Sequence, residues 1–356
     1  MCIRDSIKNY KDVFKHNPSP SESQEALAGL EEIYVDDLGQ PDEYLKFLET
    51  VPGFKVTNYS RDSLNYSVAQ RYYEDGQYER AVISFGDYIQ KFPRGVYLID
   101  AYYKRAECNA LLKKYDTALI DYEAVIQKGS SQYYEKSLLK AATLAYNHQL
   151  NFDKAYKYYS DLANSNVDEN TLFEAQLGAM RSAYRKGLTN EVALYGEKVY
   201  RSPKANNEQK ATSGFYLGKI AYDRGNYAQA NEYFKSTTDF SDNVQTAEAR
   251  YLMADILYKQ KNITAAETST RNAINANSDH PYWVAKCMLL LSDIFVDKKD
   301  YFNARAVLEG LLDGYKEDAD ITRQAQTKLD NVKRLQASGN KLRPDTLKVN
   351  SFFDNN

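Results

Sequence analysis

A short motif that returns about every 37 residues constrains this chain more than any other feature. The motif is a turn, an aromatic or aliphatic residue, two variable residues and a small residue, as in "GQYERA" and "GNYAQA". Its small residue falls at seven positions: Ala81, Ala118, Ala155, Val192, Ala230, Ala266 and Ala304. Successive intervals are 37, 37, 37, 38, 36 and 38 residues. Self-similarity at a period in this range indicates a solenoid of stacked units.

Each period predicts two helices joined by a tight turn. In the first unit, Val68, Ala69 and Tyr72 have the spacing of one buried helix face. After the turn, Phe85 and Tyr88 continue an apolar face on a second helix. Three turns carry a glycine where the backbone most needs positive φ: Gly76, Gly187 and Gly225. So short a helix pair cannot bury its apolar face alone, and stacking on the next pair does so.

This pattern resembles the tetratricopeptide repeat family. The resemblance is carried by small residues in the first helices and aromatic residues before the anchors: Ala69, Ala106, Gly218 and Ala254; Tyr78, Tyr115, Phe152, Tyr227 and Tyr301. The family's first-helix Trp is absent, and Tyr102 stands in its place in one unit. The resemblance implies an all-α, right-handed superhelical solenoid of antiparallel helix pairs, with about 7.5 repeats and a C-terminal capping helix.

The repeat divides the chain into five segments. Residues 1–20 are predicted to be a truncated half repeat in which 1–6 break the pattern, and 21–56 a degenerate repeat with Ser21 or Ser23 as N-cap. Seven repeats follow over 62–318, then a capping helix at 319–337 and a mobile tail at 338–356 that contains Phe352 and Phe353. The sequence thus predicts the C-terminal part of a longer repeat protein, with a natural short start as the alternative. The first predicted helix of the given chain presents an exposed apolar edge: Tyr10, Val13 and Phe14.

The composition gives no indication of catalysis, metal binding or nucleic-acid binding. Lys plus Arg is 46 and Asp plus Glu is 49, a near balance without the basic excess of a nucleic-acid binder. The three cysteines and three histidines are scattered, and no phosphate loop, GxSxG or HExxH occurs. We therefore expect no enzyme, no cofactor, no transmembrane segment and cysteines that are buried as small apolar residues.

In the family that the chain resembles, first helices line a concave surface that binds proteins or peptides. Register along these helices predicts a partner-binding set rich in tyrosine, of which the chain has 32. Its members are Tyr66, Gln70, Tyr73, Tyr103, Glu107, Arg181, Tyr184, Phe215, Lys219, Tyr222, Tyr251, Asp255 and Tyr258. The same rings could instead pack between adjacent repeats, and the sequence leaves both interpretations open.

The sequence constrains the identity of the partner and the cellular compartment less than it constrains the fold. The family's clamp for a C-terminal carboxylate needs Asn where this chain has Leu144, and Lys where it has Phe215, so that mode is not expected. Residues 91–108, "KFPRGVYLIDAYYKRAEC", are similar to outer-membrane assembly lipoproteins and Tol–Pal coordinators. This similarity favours an interaction scaffold in the bacterial periplasm or at the outer membrane. The alternatives are the sensor half of a signalling protein and a purely structural spacer.

Overall fold

A computed structural model describes residues 2–337, and all regular secondary structure in this range is helical. The chain divides into two units, residues 1–178 and 179–356. The helices that begin in the first unit are α1 (Ile3–Val13), α2 (Pro20–Glu31), α3 (Pro41–Leu48), α4 (Asn58–Glu74), α5 (Tyr78–Lys91), α6 (Leu98–Leu111), α7 (Tyr115–Gln127), α8 (Tyr134–Asn147), α9 (Phe152–Ala163) and α10 (Glu169–Lys186). A 3-10 turn at Phe14–His16 and a π-helical segment at Glu32–Asp37 complete this part.

The second unit continues the same alternation of helices and short turns. Its helices are α11 (Thr189–Arg201), α12 (Asn207–Asp223), α13 (Tyr227–Phe240), α14 (Val244–Lys259), α15 (Ile263–Ala276), α16 (Pro281–Asp297), α17 (Tyr301–Gly314) and α18 (Ala319–Ala337). From α1 to α9 and from α11 to α18, helices adjacent in sequence pack on each other; α12 also contacts α14, as α14 contacts α16. The predicted fold class, an all-α stack of antiparallel helix pairs, is confirmed. No helix within residues 2–337 is both long and apolar enough to cross a membrane.

The small anchor residues let the two helices of each pair approach closely. All seven, from Ala81 to Ala304, are at most 2% exposed. Gly218 of α12 has the same role on a first helix, because a Cβ built there would lie 2.6 Å from the ring of Phe234 on α13. The sequence pattern therefore identified the close contacts correctly, since they depend only on spacing within one pair.

The turns between paired helices all contain a residue in the left-handed backbone region. Gly76, Gly187 and Gly225 have φ of 72°, 73° and 74°, which confirms the prediction for these three. The equivalent residue of the other four turns also has positive φ but carries a side chain: Lys113, Leu150, Lys261 and Lys299. A side chain in this region crowds its own backbone, so these four turns are less stable than a glycine would make them.

The N-terminal segment differs from its prediction in three details. Helix α1 begins at Ile3, so most of residues 1–6 continue the helix. Tyr10 and Phe14 do not form an exposed edge, because both pack on the apolar cluster of α2 and α3. Ser19, and not Ser21 or Ser23, is the N-cap of α2. Pro20 favours this earlier start, since proline fits the first helical position.

The C-terminal helix α18 lies on the last pair as predicted. Ile321, Ala325, Leu329 and Val332 form its buried face and share one apolar cluster with α16 and α17. The proposed mobile tail, with Phe352 and Phe353, lies outside the described residues.

The cysteines depart from the prediction at one position. Cys108 and Cys287 are buried, as expected, whereas Cys2 at the start of α1 is exposed. Burial raises the pKa of both buried thiols to about 12, so they remain protonated and apolar at neutral pH.

Candidate functional site

The first helices of the first unit are joined by tyrosine hydroxyls. Tyr73 of α4 donates to Glu107 of α6 over 2.9 Å, and Tyr103 of α6 donates to the other oxygen of the same carboxylate over 3.2 Å. Burial and the hydrogen bond to Glu107 raise the pKa of Tyr73 to about 12. Because these hydroxyl and carboxylate groups are hydrogen-bonded to one another, Tyr73, Tyr103 and Glu107 also connect two neighbouring repeats.

Two rings that the sequence predicted to face outward are covered by rings from the next repeat. Tyr97 stacks on Tyr66 at 4.4 Å between ring centroids, and Tyr133 stacks on Tyr103 at the same separation. As a result, Tyr66 and Tyr103 are buried, and the prediction that they face outward is wrong. The covering residues are the N-caps of α6 and α8. Their recurrence before successive first helices was the signal that could have identified them.

Lys104 of α6 is the centre of a polar network between α4 and α6. Its ammonium group donates to the hydroxyl of Tyr66 over 2.7 Å, to Gln70 Oε1 and to Asp100 over 2.9 Å. The hydroxyl of Tyr66 donates to Gln70 over 3.0 Å. Sequence register identified Tyr66 and Gln70 but missed Lys104 and Asp100, because neither residue occupies a position in the predicted rows.

A cavity of about 550 Å³ opens above this network. We call it the tyrosine groove. Tyr66, Asp100 and Lys104 form its polar floor, and Tyr97 and Tyr133 form aromatic walls. Its rim includes aliphatic residues, of which Val96 is 69% exposed. Apolar walls with a few convergent polar groups are typical of binding sites.

In the second unit, hydroxyl and carboxylate groups again connect first helices. Tyr222 of α12 donates to Asp255 of α14, and Lys259 donates to both, with 2.7 Å between Lys259 Nζ and Asp255. Burial and the hydrogen bond to Asp255 raise the pKa of Tyr222 to about 12. Lys219 of α12 forms an ion pair with Glu248 of α14.

The remaining predicted residues of this unit have different surroundings. Phe215 is 2% exposed and packs against Phe234, so its predicted outward position is wrong. Tyr184 stacks on Tyr216 at 3.7 Å between centroids. Arg181 is half-buried on α10.

The last two first-helix tyrosines of this set lie on α14. Tyr251 lies beside Trp283 of α16, with 5.6 Å between ring centroids. Burial and a hydrogen bond to Asp297 raise the pKa of Tyr258 above its usual range. Most rings in the predicted set therefore contact a neighbouring repeat, and Tyr66 and Gln70 also line the tyrosine groove.

Helix pairs stacked at a 37-residue period define an α-helical repeat protein. Two segments match family models of the tetratricopeptide repeat, at residues 100–128 and 215–281. These two segments thus match the tetratricopeptide repeat, which the sequence pattern predicted. A search of curated proteins found no significant match.

Solved structures with a similar fold include the C-terminal part of a TPR repeat-containing protein from Cytophaga hutchinsonii. That match has 15% identity and a TM-score of 0.50, and covers 73% of this chain and 98% of that one. The quorum sensor NprR from B. thuringiensis matches with 15% identity, a TM-score of 0.38 and coverage of 94% and 93%. A signal transduction ATPase with a tetratricopeptide repeat sensor from Pyrococcus horikoshii matches with 13% identity, a TM-score of 0.47 and coverage of 90% and 51%.

Proposed function

We propose that this chain is a non-enzymatic scaffold that binds a peptide or protein partner on its first helices. The fold supports the proposal, because stacked helix pairs offer extended surfaces suited to protein partners. The single observation that carries it is the tyrosine groove, in which Tyr97 and Tyr133 border a cavity large enough for part of a peptide. Tyrosine favours binding because its ring offers a large contact area at low entropic cost.

The proposed interaction surface combines fixed and accessible parts. Tyr66 and Lys104 are held by their hydrogen bonds, so little conformational entropy is lost when a partner covers them. Val96 is anchored through its backbone N–H, which donates to Asp62 over 2.7 Å, while its side chain is exposed. The groove is therefore preorganised, and its rim can be altered without disturbing the core.

Selection from a random peptide library on the folded chain tests this proposal. Peptides that bind the native chain should lose binding to Val96→Arg, because the long side chain obstructs the rim of the groove. Ile83→Arg is the matched control, since Ile83 is a 65% exposed aliphatic residue on α5 outside the groove lining. Peptides that bind wild type, Val96→Arg and Ile83→Arg equally well would refute a role of the groove.

For the biological setting, we propose an assembly role in the bacterial cell envelope. The support is the similarity of residues 91–108 to envelope proteins of this type. The alternative is the sensor half of a signalling protein. Cell fractionation of the source organism with an antibody against the chain separates the two: recovery with envelope fractions supports the first, and recovery with cytosolic fractions contradicts it.

A further inference from the structure

Lys104, the one lysine among the described residues that line the tyrosine groove, has no N–H donor left for a ligand. An ammonium group has three N–H donors. Those of Lys104 are directed to Tyr66, Gln70 and Asp100. A ligand carboxylate would have to displace one of these internal partners, so Lys104 does not favour an anionic ligand.

The same network leaves acceptors unused. Asp100 accepts from Lys104 at one oxygen and from the hydroxyl of Tyr133 at the other. An ionised carboxylate offers about four lone-pair positions, so about two remain for a ligand. Burial and the hydrogen bond to Asp100 raise the pKa of Tyr133 above its usual range. The phenol therefore stays protonated, and its oxygen keeps lone pairs that can accept a hydrogen bond.

Lys104 and Asp100 balance each other's charge as an ion pair, and the carboxylates around the groove add negative charge. Glu74 accepts from Gln70 at one end of the network, and Glu107 accepts from Tyr73 and Tyr103 on the same helices. The exposed lysines of α8, Lys136 and Lys140, do not line the groove. Two aromatic walls beside a carboxylate suit a cation, because the face of a phenol ring attracts positive charge.

Building on the proposed function, we propose that the tyrosine groove binds a cationic side chain of the partner, an arginine or lysine within a peptide segment. The cation donates to the free positions of Asp100 and lies against the rings of Tyr97 and Tyr133. A hydrogen bond between a cation and a carboxylate is about twice as strong as a neutral one. The groove therefore selects basic over neutral and acidic peptides.

The test compares three short peptides on the complete chain: acetyl-Gly-Arg-Gly-amide and its counterparts with citrulline and glutamate. Citrulline has nearly the shape of arginine but no charge. Isoleucine methyl groups are labelled for NMR, because Ile99 lines the groove and Ile83 lies outside it. Each signal is assigned by its loss in an Ile→Val variant. We expect the arginine peptide to shift Ile99 alone, and the citrulline peptide to bind about tenfold more weakly.

The variant Asp100→Asn keeps the side-chain size but removes its charge, and should abolish most of the preference for arginine over citrulline. An unchanged Ile83 signal shows that the variant remains folded. Equal binding of arginine and citrulline peptides at Ile99 would overturn the cation proposal but would still support the proposal that the groove binds peptides. Stronger binding of the glutamate peptide would also overturn it. No shift of Ile99 with any peptide would contradict both proposals. The comparison of the arginine and citrulline peptides on the wild-type chain tests the cation proposal even if Asp100→Asn is unstable.

Discussion

Replacing Lys113 by glycine is expected to stabilise the protein, although it removes a side chain. Lys113 lies in the turn between α6 and α7 with φ of 60°. The equivalent turn of the preceding repeat has Gly76 at 72°. An L-residue in the left-handed region costs roughly 1–2 kcal/mol, which glycine avoids.

The expected gain is smaller than this cost because glycine also changes the unfolded chain. Its greater freedom there offsets roughly 0.4–1 kcal/mol. The difference leaves a stabilisation of about 0.5–1 kcal/mol for Lys113→Gly. Lys128→Gly is the matched control: Lys128 is also exposed and ends the next helix, but its φ is −72°. There the same substitution should be destabilising, because only the entropy cost remains.

Urea unfolding followed by circular dichroism measures both variants, and hydrogen exchange shows where the change acts. Stability in a repeat stack is approximately a sum of local terms. Exchange should therefore slow by about two- to fivefold in α6 and α7 of Lys113→Gly, with little change in α12 to α14. If Lys113→Gly lowers the urea midpoint as Lys128→Gly does, the argument from backbone strain is wrong.

Three further predictions concern packing, thiol accessibility and pH. Gly218→Ala should destabilise by about 1–3 kcal/mol in urea unfolding, because its Cβ would lie 2.6 Å from the buried ring of Phe234; an unchanged midpoint would contradict this. A thiol reagent should label one cysteine in the native chain and three in denaturant, since one is exposed and two are buried: Cys2, Cys108 and Cys287. Burial alone would raise the pKa of Glu267, but hydrogen bonds from Lys298 and Arg271 outweigh it and lower the pKa below 4.5. Its contribution is therefore present above pH 4.5 and lost as pH falls through the lowered pKa, so the midpoint difference between wild type and Glu267→Gln should shrink below pH 4.5; a constant difference would contradict this.

The helix pairs could be predicted from the sequence because they depend on short-range spacing. The anchor alanines and the turn glycines are determined within one repeat, and the apolar face of α18 is determined within one helix. Lys113 and Leu150 were not predicted as left-handed residues, because their side chains disfavour this region and only the repeat period indicates it.

The tyrosines could be predicted only in part, because their surroundings involve two repeats. Register placed Tyr66 and Tyr103 on the first helices but could not indicate that Tyr97 and Tyr133 cover them. Each contact joins residues more than 29 positions apart, through loops whose path follows no helical period. The role of Lys104 was missed for the same reason, because its hydrogen-bond partners lie on two helices.

Photo-cross-linking tests the central claim, partner binding on the first helices, most directly. A peptide selected on the native chain is synthesised with a photoreactive phenylalanine and irradiated in the complex. Mass spectrometry then identifies the modified residues. The proposal predicts adducts at the borders of the tyrosine groove, within residues 96–104 and 131–133, and their loss in Val96→Arg but not in Ile83→Arg. Adducts confined to the second helices α5 and α7 would contradict it.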